Sequence, residues 1–278
     1  MKHYEGKFKS AGNISLFFQK WIPDQVPIAV IVIAHGIGEH SGRYMTIVNH
    51  FVPLGYAIYA LDHRGHGRSP GKRGHIMRWE IFREDLKHFM QFVRSEQGDK
   101  SLYLLGHSLG GLMVLDFALH YPHGLNGVIA SSPALAEPNI SPALILLSKI
   151  MSYIWPALTI KTTLDVTAIS HDPAVIEAYQ GDPLVHDRGS ARLGTEFGLC
   201  RKWTLDHAGE FSCPLLIYHG RSDRIVPYQG SVEFFESVNA ADKELHLFDN
   251  GFHELHHDTD KENLFLLIEN WLHKHREG

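Results

Sequence analysis

The chain has 278 residues, 44% of them hydrophobic and 21% charged, with a net charge of −5. That length suits one large α/β domain carrying an insertion and excludes a small stapled module. The acidic balance, with no Lys/Arg run, argues against a nucleic-acid partner. The two cysteines, Cys200 and Cys213, cannot build a disulfide framework and suggest a reducing compartment.

Residues 1–20 mix charged and apolar side chains and lack the apolar stretch and small-residue cleavage site of a secretion signal, so a cytoplasmic location is expected. Segments 4–8 and 14–21, split by Ser10-Ala11-Gly12-Asn13, predict an opening antiparallel hairpin. The wholly apolar run 28–34 predicts a strand buried on both faces. A helix over 44–54 ended by Gly55, a strand at 57–61 and a helix over 80–96 come next. A strand at 102–105, an apolar helix from Leu112 to Leu119 and a strand at 127–131 follow. After a long interruption come strands at 215–218 and 245–248, with helices at 231–238 and 262–274. Strands alternating with helices predict an α/β fold with a mostly parallel sheet and helices on both faces. Ligands on such sheets bind beyond the carboxyl ends of the strands.

Polar residues collect at those ends. Tyr103-Leu104-Leu105-Gly106-His107-Ser108-Leu109-Gly110-Gly111 reads as a strand turning sharply into a helix, a nucleophile elbow. Glycine at 106 and 110 lets the turn close, and Ser108 is forced into a strained conformation at a helix N-terminus, where developing negative charge is favoured. A serine hydroxyl needs a base near neutrality, and the imidazole needs a carboxylate to fix its tautomer. Serine, acid and histidine in that chain order form the α/β-hydrolase arrangement, and Asp223 and His253 fill the two later places. With 21 histidines in the chain, a lone one after a strand means little. His219, His246 and His257 therefore read as ordinary loop histidines, whereas His253 gains from its partners. Asp62 precedes the elbow and reads as a brace for the loop over 63–69; Glu254 and Asp258 are weaker rival acids. Two backbone donors should form an oxyanion hole. By position they are the N–H groups of Leu109, directly after the nucleophile, and Ile37, in the His35-Gly36-Ile37-Gly38 loop.

His253-Glu254-Leu255-His256-His257 also matches the zinc-protease pattern H-E-x-x-H. That chemistry requires a helix through both histidines and a third ligand. Gly251 and a strand precede His253, which predicts a loop, so no metal is expected.

The chain resembles the monoacylglycerol lipases, in the lysophospholipase-like branch of the α/β-hydrolases. The resemblance is carried by His35-Gly36-Ile37-Gly38-Glu39-His40-Ser41-Gly42-Arg43-Tyr44, by Leu61-Asp62-His63-Arg64-Gly65-His66-Gly67-Arg68-Ser69 and by the elbow. Ala178-Tyr179-Gln180-Gly181-Asp182-Pro183-Leu184-Val185, with Asp223 and His253, extends it over nearly the whole chain. It implies an α/β-hydrolase fold and a serine esterase, without cofactor, that frees a fatty acid from a single-chain glycerolipid. Lysophospholipase and broad carboxylesterase activity are the neighbouring alternatives, and a non-catalytic binding protein on the same fold is the alternative of a different class. It also implies a small pocket for the glycerol beside the oxyanion loop, matched here by Glu39, Arg43, Tyr179 and His256. Glu39 and Arg43 have a plainer reading as an ion pair at the start of the helix at Tyr44. Ile37 stands where the family loop often carries a small residue, which would narrow the entrance to the acyl site.

The interruption over 136–207 reads as a cap inserted between two parts of the core, 1–135 and 208–278. Its first half, 140–155, is strongly apolar. Lys149, Pro142 and Pro156 break it short of the roughly 20 apolar residues of a membrane span. Two readings remain: a helix buried in the core, or a lid helix with one face on an acyl tunnel and the other on lipid, which would give the enzyme a peripheral membrane contact.

Overall fold

The protein is described from a computed structural model covering residues 1–137, 142–162 and 164–276. The opening hairpin pairs β1 (Lys2–Lys9) with β2 (Ser15–Ile22) in antiparallel register from Lys2 opposite Ile22 to Lys9 opposite Ser15. β3 (Ala29–Ala34), α1 (Met45–Phe51), β4 (Tyr56–Leu61), α2 (Glu80–Gln97), β5 (Leu102–His107), α3 (Leu109–His120) and β6 (Gly127–Ser131) follow. Then come α4 (Pro142–Ile154), β7 (Thr159–Lys161), α5 (Pro173–Gly181), β8 (Arg188–Ser190) and α6 (Ala191–Asp206). The chain closes with β9 (Leu215–Gly220), α7 (Gln229–Ser237), β10 (Lys243–Phe248) and α8 (Lys261–Arg276).

Eight strands form one sheet in the order β1-β2-β4-β3-β5-β6-β9-β10. β2 meets β4 antiparallel, and every pairing from β4 through β10 is parallel. Every residue of β3, β4, β5, β6 and β9 is buried, as strands covered on both faces must be. One face packs Phe82, Leu86 and Phe89 of α2, the apolar α3 and Phe234 of α7 against Val30, Val32, Leu104 and Ile217. The other packs Ile47 and Phe51 of α1 and Phe265, Ile268 and Trp271 of α8 against Ile31, Ile33 and Leu105. This is the α/β-hydrolase architecture.

The helix expected over 44–54 is shorter: a 3₁₀ turn over Ser41–Tyr44 leads into α1. The insertion between β6 and β9 holds three helices and the two-stranded β7–β8 pair among the described residues. α6 plugs Leu193 and Cys200 into the core, and α4 packs on α6. The core-helix reading of 140–155 is overturned. α4 leaves Leu146, Leu147 and Ile150 exposed, with Tyr153 at 78% and Ile154 at 74%, so most of its apolar surface faces outward. Residues 140 and 141 of that stretch lie outside the described residues. No helix among the described residues is long and apolar enough to cross a membrane.

Candidate active site

β5 drives straight at α3, and Ser108 sits between them with φ 55° and ψ −115°, a conformation disfavoured for any residue with a Cβ. A Cβ on Gly106 would meet the Gly110 carbonyl oxygen, and one on Gly110 would meet the carbonyl oxygen of Ala34. The elbow is fixed to the end of β6 by bonds from Ser108 N to Ser131 O (2.9 Å) and from Ala134 N to Ser108 O (3.0 Å).

Asp223 lies in the loop after β9. Its Oδ1 accepts the N–H groups of Ile225 (2.8 Å) and Val226 (2.9 Å). Its Oδ2 takes His253 Nδ1 at 2.6 Å and His219 Nε2 at 3.1 Å. His219 is itself set by Ser231 Oγ at Nδ1 (2.7 Å) and by the Val226 carbonyl at Nε2 (2.9 Å), so its Nε2 carries the proton. Burial alone would raise the Asp223 pKa; the His253 charge and the two imidazole hydrogen bonds outweigh it and hold the carboxyl well below the usual carboxylate range. Burial alone would lower the His253 pKa, but the adjacent Asp223 carboxylate wins and raises it above the ordinary value. With Nδ1–H committed to Asp223, Nε2 is the nitrogen left to exchange a proton.

The loop carrying His253 is braced from the insertion. His253 N donates to Ala168 O (3.3 Å) and Glu254 N to Ile169 O (2.8 Å). Asp258, buried, accepts Phe252 N and His171 N, both at 2.8 Å, while the His171 ring stacks on Phe252. Residues 255–257 form a 3₁₀ turn, not the helix that a zinc-protease pattern needs. Ligand atoms of Glu254, His256 and His257 do lie within 4.8 Å of one another. Yet Glu254 accepts Arg43 in a bidentate pair, 2.7 Å for each bond, and His257 Nδ1 at 2.8 Å. The cation beside that carboxylate is therefore the Arg43 guanidinium.

Ser108 and His253 open on one cavity of about 20 Å³ with Gly36, Ile37, Glu39, Arg43, His107, Leu164, Ile169, Tyr179 and Glu254. That is room for about one water-sized group. Ile37, Leu164 and Tyr179 also wall a second cavity of about 430 Å³, which carries Asp165, Asp187, Arg188 and Arg224. Glu39 Oε1 accepts Gly36 N (2.6 Å) and the Tyr44 hydroxyl (2.8 Å), and Oε2 accepts Arg43 (3.0 Å). The Arg43 guanidinium lies 4.6 Å from the Tyr179 ring centroid, joining core to insertion. Among the described residues, the N–H groups of Ile37 and Leu109 donate to no protein acceptor.

Of the residues singled out from the sequence, Ser108, His253, Ile37, Glu39, Arg43 and Tyr179 share the cavity wall, and Asp223 stands behind His253. His256 does not line either cavity. Its ring is buried, stacked on Tyr44, and neither nitrogen has a hydrogen-bond partner among the described residues. His219, read as an ordinary loop histidine, is a second partner of the Asp223 carboxylate, and its place directly at the end of β9 was the only sequence signal.

The family model described as serine aminopeptidase, S33 matches residues 25–260. A monoacylglycerol lipase of Mycolicibacterium smegmatis is 33% identical over 276 residues, 98% of this chain and 97% of the relative. A monoglyceride lipase of Mus musculus is 29% identical, covering 87% of this chain and 81% of its own. Among solved structures, the monoacylglycerol lipase of Paleococcus ferrophilus superposes with a TM-score of 0.81 at 34% identity, over 99% of this chain and 100% of that one. A soluble variant of the Saccharomyces cerevisiae monoglyceride lipase, in complex with a substrate analog, gives a TM-score of 0.88 at 25% identity, over 97% and 94%. The chain belongs to the serine aminopeptidase, S33 family, as a monoacylglycerol lipase-like serine hydrolase of the α/β-hydrolase fold.

Proposed function

We propose that the protein hydrolyses monoacylglycerol to a fatty acid and glycerol through an acyl-serine intermediate. His253 Nε2 takes the Ser108 proton as Oγ attacks the ester carbonyl, and Asp223 stabilises the imidazolium that results. The N–H groups of Ile37 and Leu109 hold the oxyanion. His253 returns the proton to the departing glycerol, then activates the water that frees the fatty acid and regenerates Ser108. No step draws on a cofactor. The observation that carries this assignment is the buried Asp223–His253 pair at 2.6 Å opening on the cavity that also exposes Ser108. The lipases among the relatives supply the substrate class.

Residues 136–207 act, in this proposal, as a cap whose α4 meets the lipid surface, as its exposed apolar side chains suit. Tyr179, on the wall common to both cavities, is assigned to the glycerol. Glu39 and Arg43 already spend their hydrogen bonds on each other and on Gly36, Tyr44 and Glu254. A second reading, hydrolysis of lysophospholipids or other esters with larger alcohol parts, is favoured by the 430 Å³ cavity, far larger than glycerol needs. The deciding experiment is a hydrolysis panel of monoacylglycerol, lysophospholipid, a short alkyl ester and an aminoacyl amide, with Ser108→Ala as control. Highest kcat/KM on monoacylglycerol is expected; faster turnover of lysophospholipid would give the second reading, and of the amide would remove both.

A further inference from the structure

Ser132 follows β6 at once and has φ 40°, a left-handed conformation that a serine adopts at a cost, in a site with no exposed surface. Its neighbours tie it to both halves of the active site. Ser131 O receives Ser108 N, Ala134 N returns to Ser108 O, and Ser132 N donates to Tyr218 O at 2.9 Å on the strand that leads to Asp223. Its hydroxyl donates to the backbone carbonyl of His253 at 3.0 Å. On the other side of that residue, His253 N is held by Ala168 O. The strained segment 131–134 therefore grips the nucleophile's backbone with its own backbone and the base's backbone with one side chain.

We propose that Ser132 is a positioning residue, which sets the separation of His253 from Ser108 by holding the His253 carbonyl. It touches neither substrate nor the reacting atoms, and it lies outside the walls of both cavities. Strain is retained at this site because the hydroxyl must arrive from a left-handed backbone to reach the histidine loop. The proposal rests on Ser108 and His253 being the reacting pair.

Two variants separate the hydroxyl from the strain. Ser132→Ala keeps the unfavourable φ and loses the hydroxyl, whereas Ser132→Gly loses both. For each, kcat and KM on a short soluble ester and the rate of fluorophosphonate labelling are measured per folded molecule, beside the thermal midpoint. Both variants are expected to lose kcat by about five- to tenfold, as for one misplaced hydrogen-bonded group, with KM within twofold and labelling slowed in proportion. Ser132→Gly should melt above Ser132→Ala. Activity would thus follow the hydroxyl while stability follows the backbone. A glycine variant with kcat within twofold of the parent overturns the proposal, and it does so even if the alanine variant fails to fold. Retained labelling in Ser108→Ala instead strikes the assignment of the reacting pair, leaving that failure distinct from this one.

Discussion

Arg43→Met tests whether the charged wall of the active-site cavity is structural. The guanidinium makes bonds of 2.7, 2.7 and 3.0 Å to Glu254 and Glu39, with side chains only 8% exposed for Arg43 and 4% for both glutamates. Methionine fills similar space and leaves two carboxylates buried without their cation. Removing one partner from such a pair costs about 3–5 kcal/mol. At about 2–4 °C per kcal/mol for a large domain, the melting temperature at neutral pH should fall by roughly 10 °C. The loss must depend on pH in a definite direction. In the parent, burial alone would raise the Glu254 pKa, but Arg43 holds it well below the ordinary value of 4.5. That contribution is complete above the unfolded pKa and fades as pH falls through the depressed folded one. Without Arg43, only the His257 contact still opposes burial, so the folded pKa rises and the penalty grows with pH. Urea unfolding of parent and variant should show a wide gap at pH 7 and a narrower one at pH 4, where the variant's penalty has gone but most of the parent's contribution remains. A loss under about 1 kcal/mol, or an equal loss at both pH values, would refute the claim that these charges are sealed from water.

Four further outcomes are expected. The acid limb of kcat/KM on a soluble ester should lie above the ordinary histidine value of 6.5, because Asp223 raises the His253 pKa and only the neutral ring accepts a proton. Asp223→Asn should move that limb to lower pH and cut kcat by about 10⁴-fold, and an unmoved limb would detach the carboxylate from the base. Leu147→Glu or Ile154→Glu on α4 should weaken binding to phospholipid vesicles while leaving short-ester hydrolysis intact; equal loss of both would deny α4 a lipid-facing role. Tyr179→Phe should lower kcat/KM for monoacylglycerol about fivefold, the worth of one hydrogen bond, and spare an alkyl ester of the same acid. If both substrates fall together, Tyr179 does not read the glycerol.

The sheet was legible because β3, β4, β5 and β9 are nearly unbroken apolar runs, and each ends where a polar loop begins. Ser108, Asp223 and His253 could be picked out for that reason: their chemistry sits at strand ends that topology brings together. Partners far apart in sequence left no such trace. Glu254, 211 residues from Arg43, read as a spare acid until folding placed it against the guanidinium. His219 hid among many histidines. The three-residue strands β7 and β8 are too short for any periodicity to mark them. The apolar run of α4 fits a core helix and a surface helix equally well, since only tertiary packing decides which way its side chains point. Ser132 carries no local signal either, because its strain is imposed by elements on both sides.

The rungs from Ala168, Ile169 and His171 to the loop over 252–258 bear on how such an enzyme can be altered. The insertion is no detachable accessory: part of its backbone completes the mount of the His253 loop, which carries the proposed base. A chimera that borrows α4 and α6 from a relative but disturbs 166–172 would shift the His253 loop along with the borrowed helices. Exchanges confined to α4 leave that mount whole. On the proposed reading, the surface offered to lipid and the support of the base are therefore separable along this insertion, the first on α4 and the second on 166–172. Within 166–172, the insertion and the histidine loop are constrained to change as one unit.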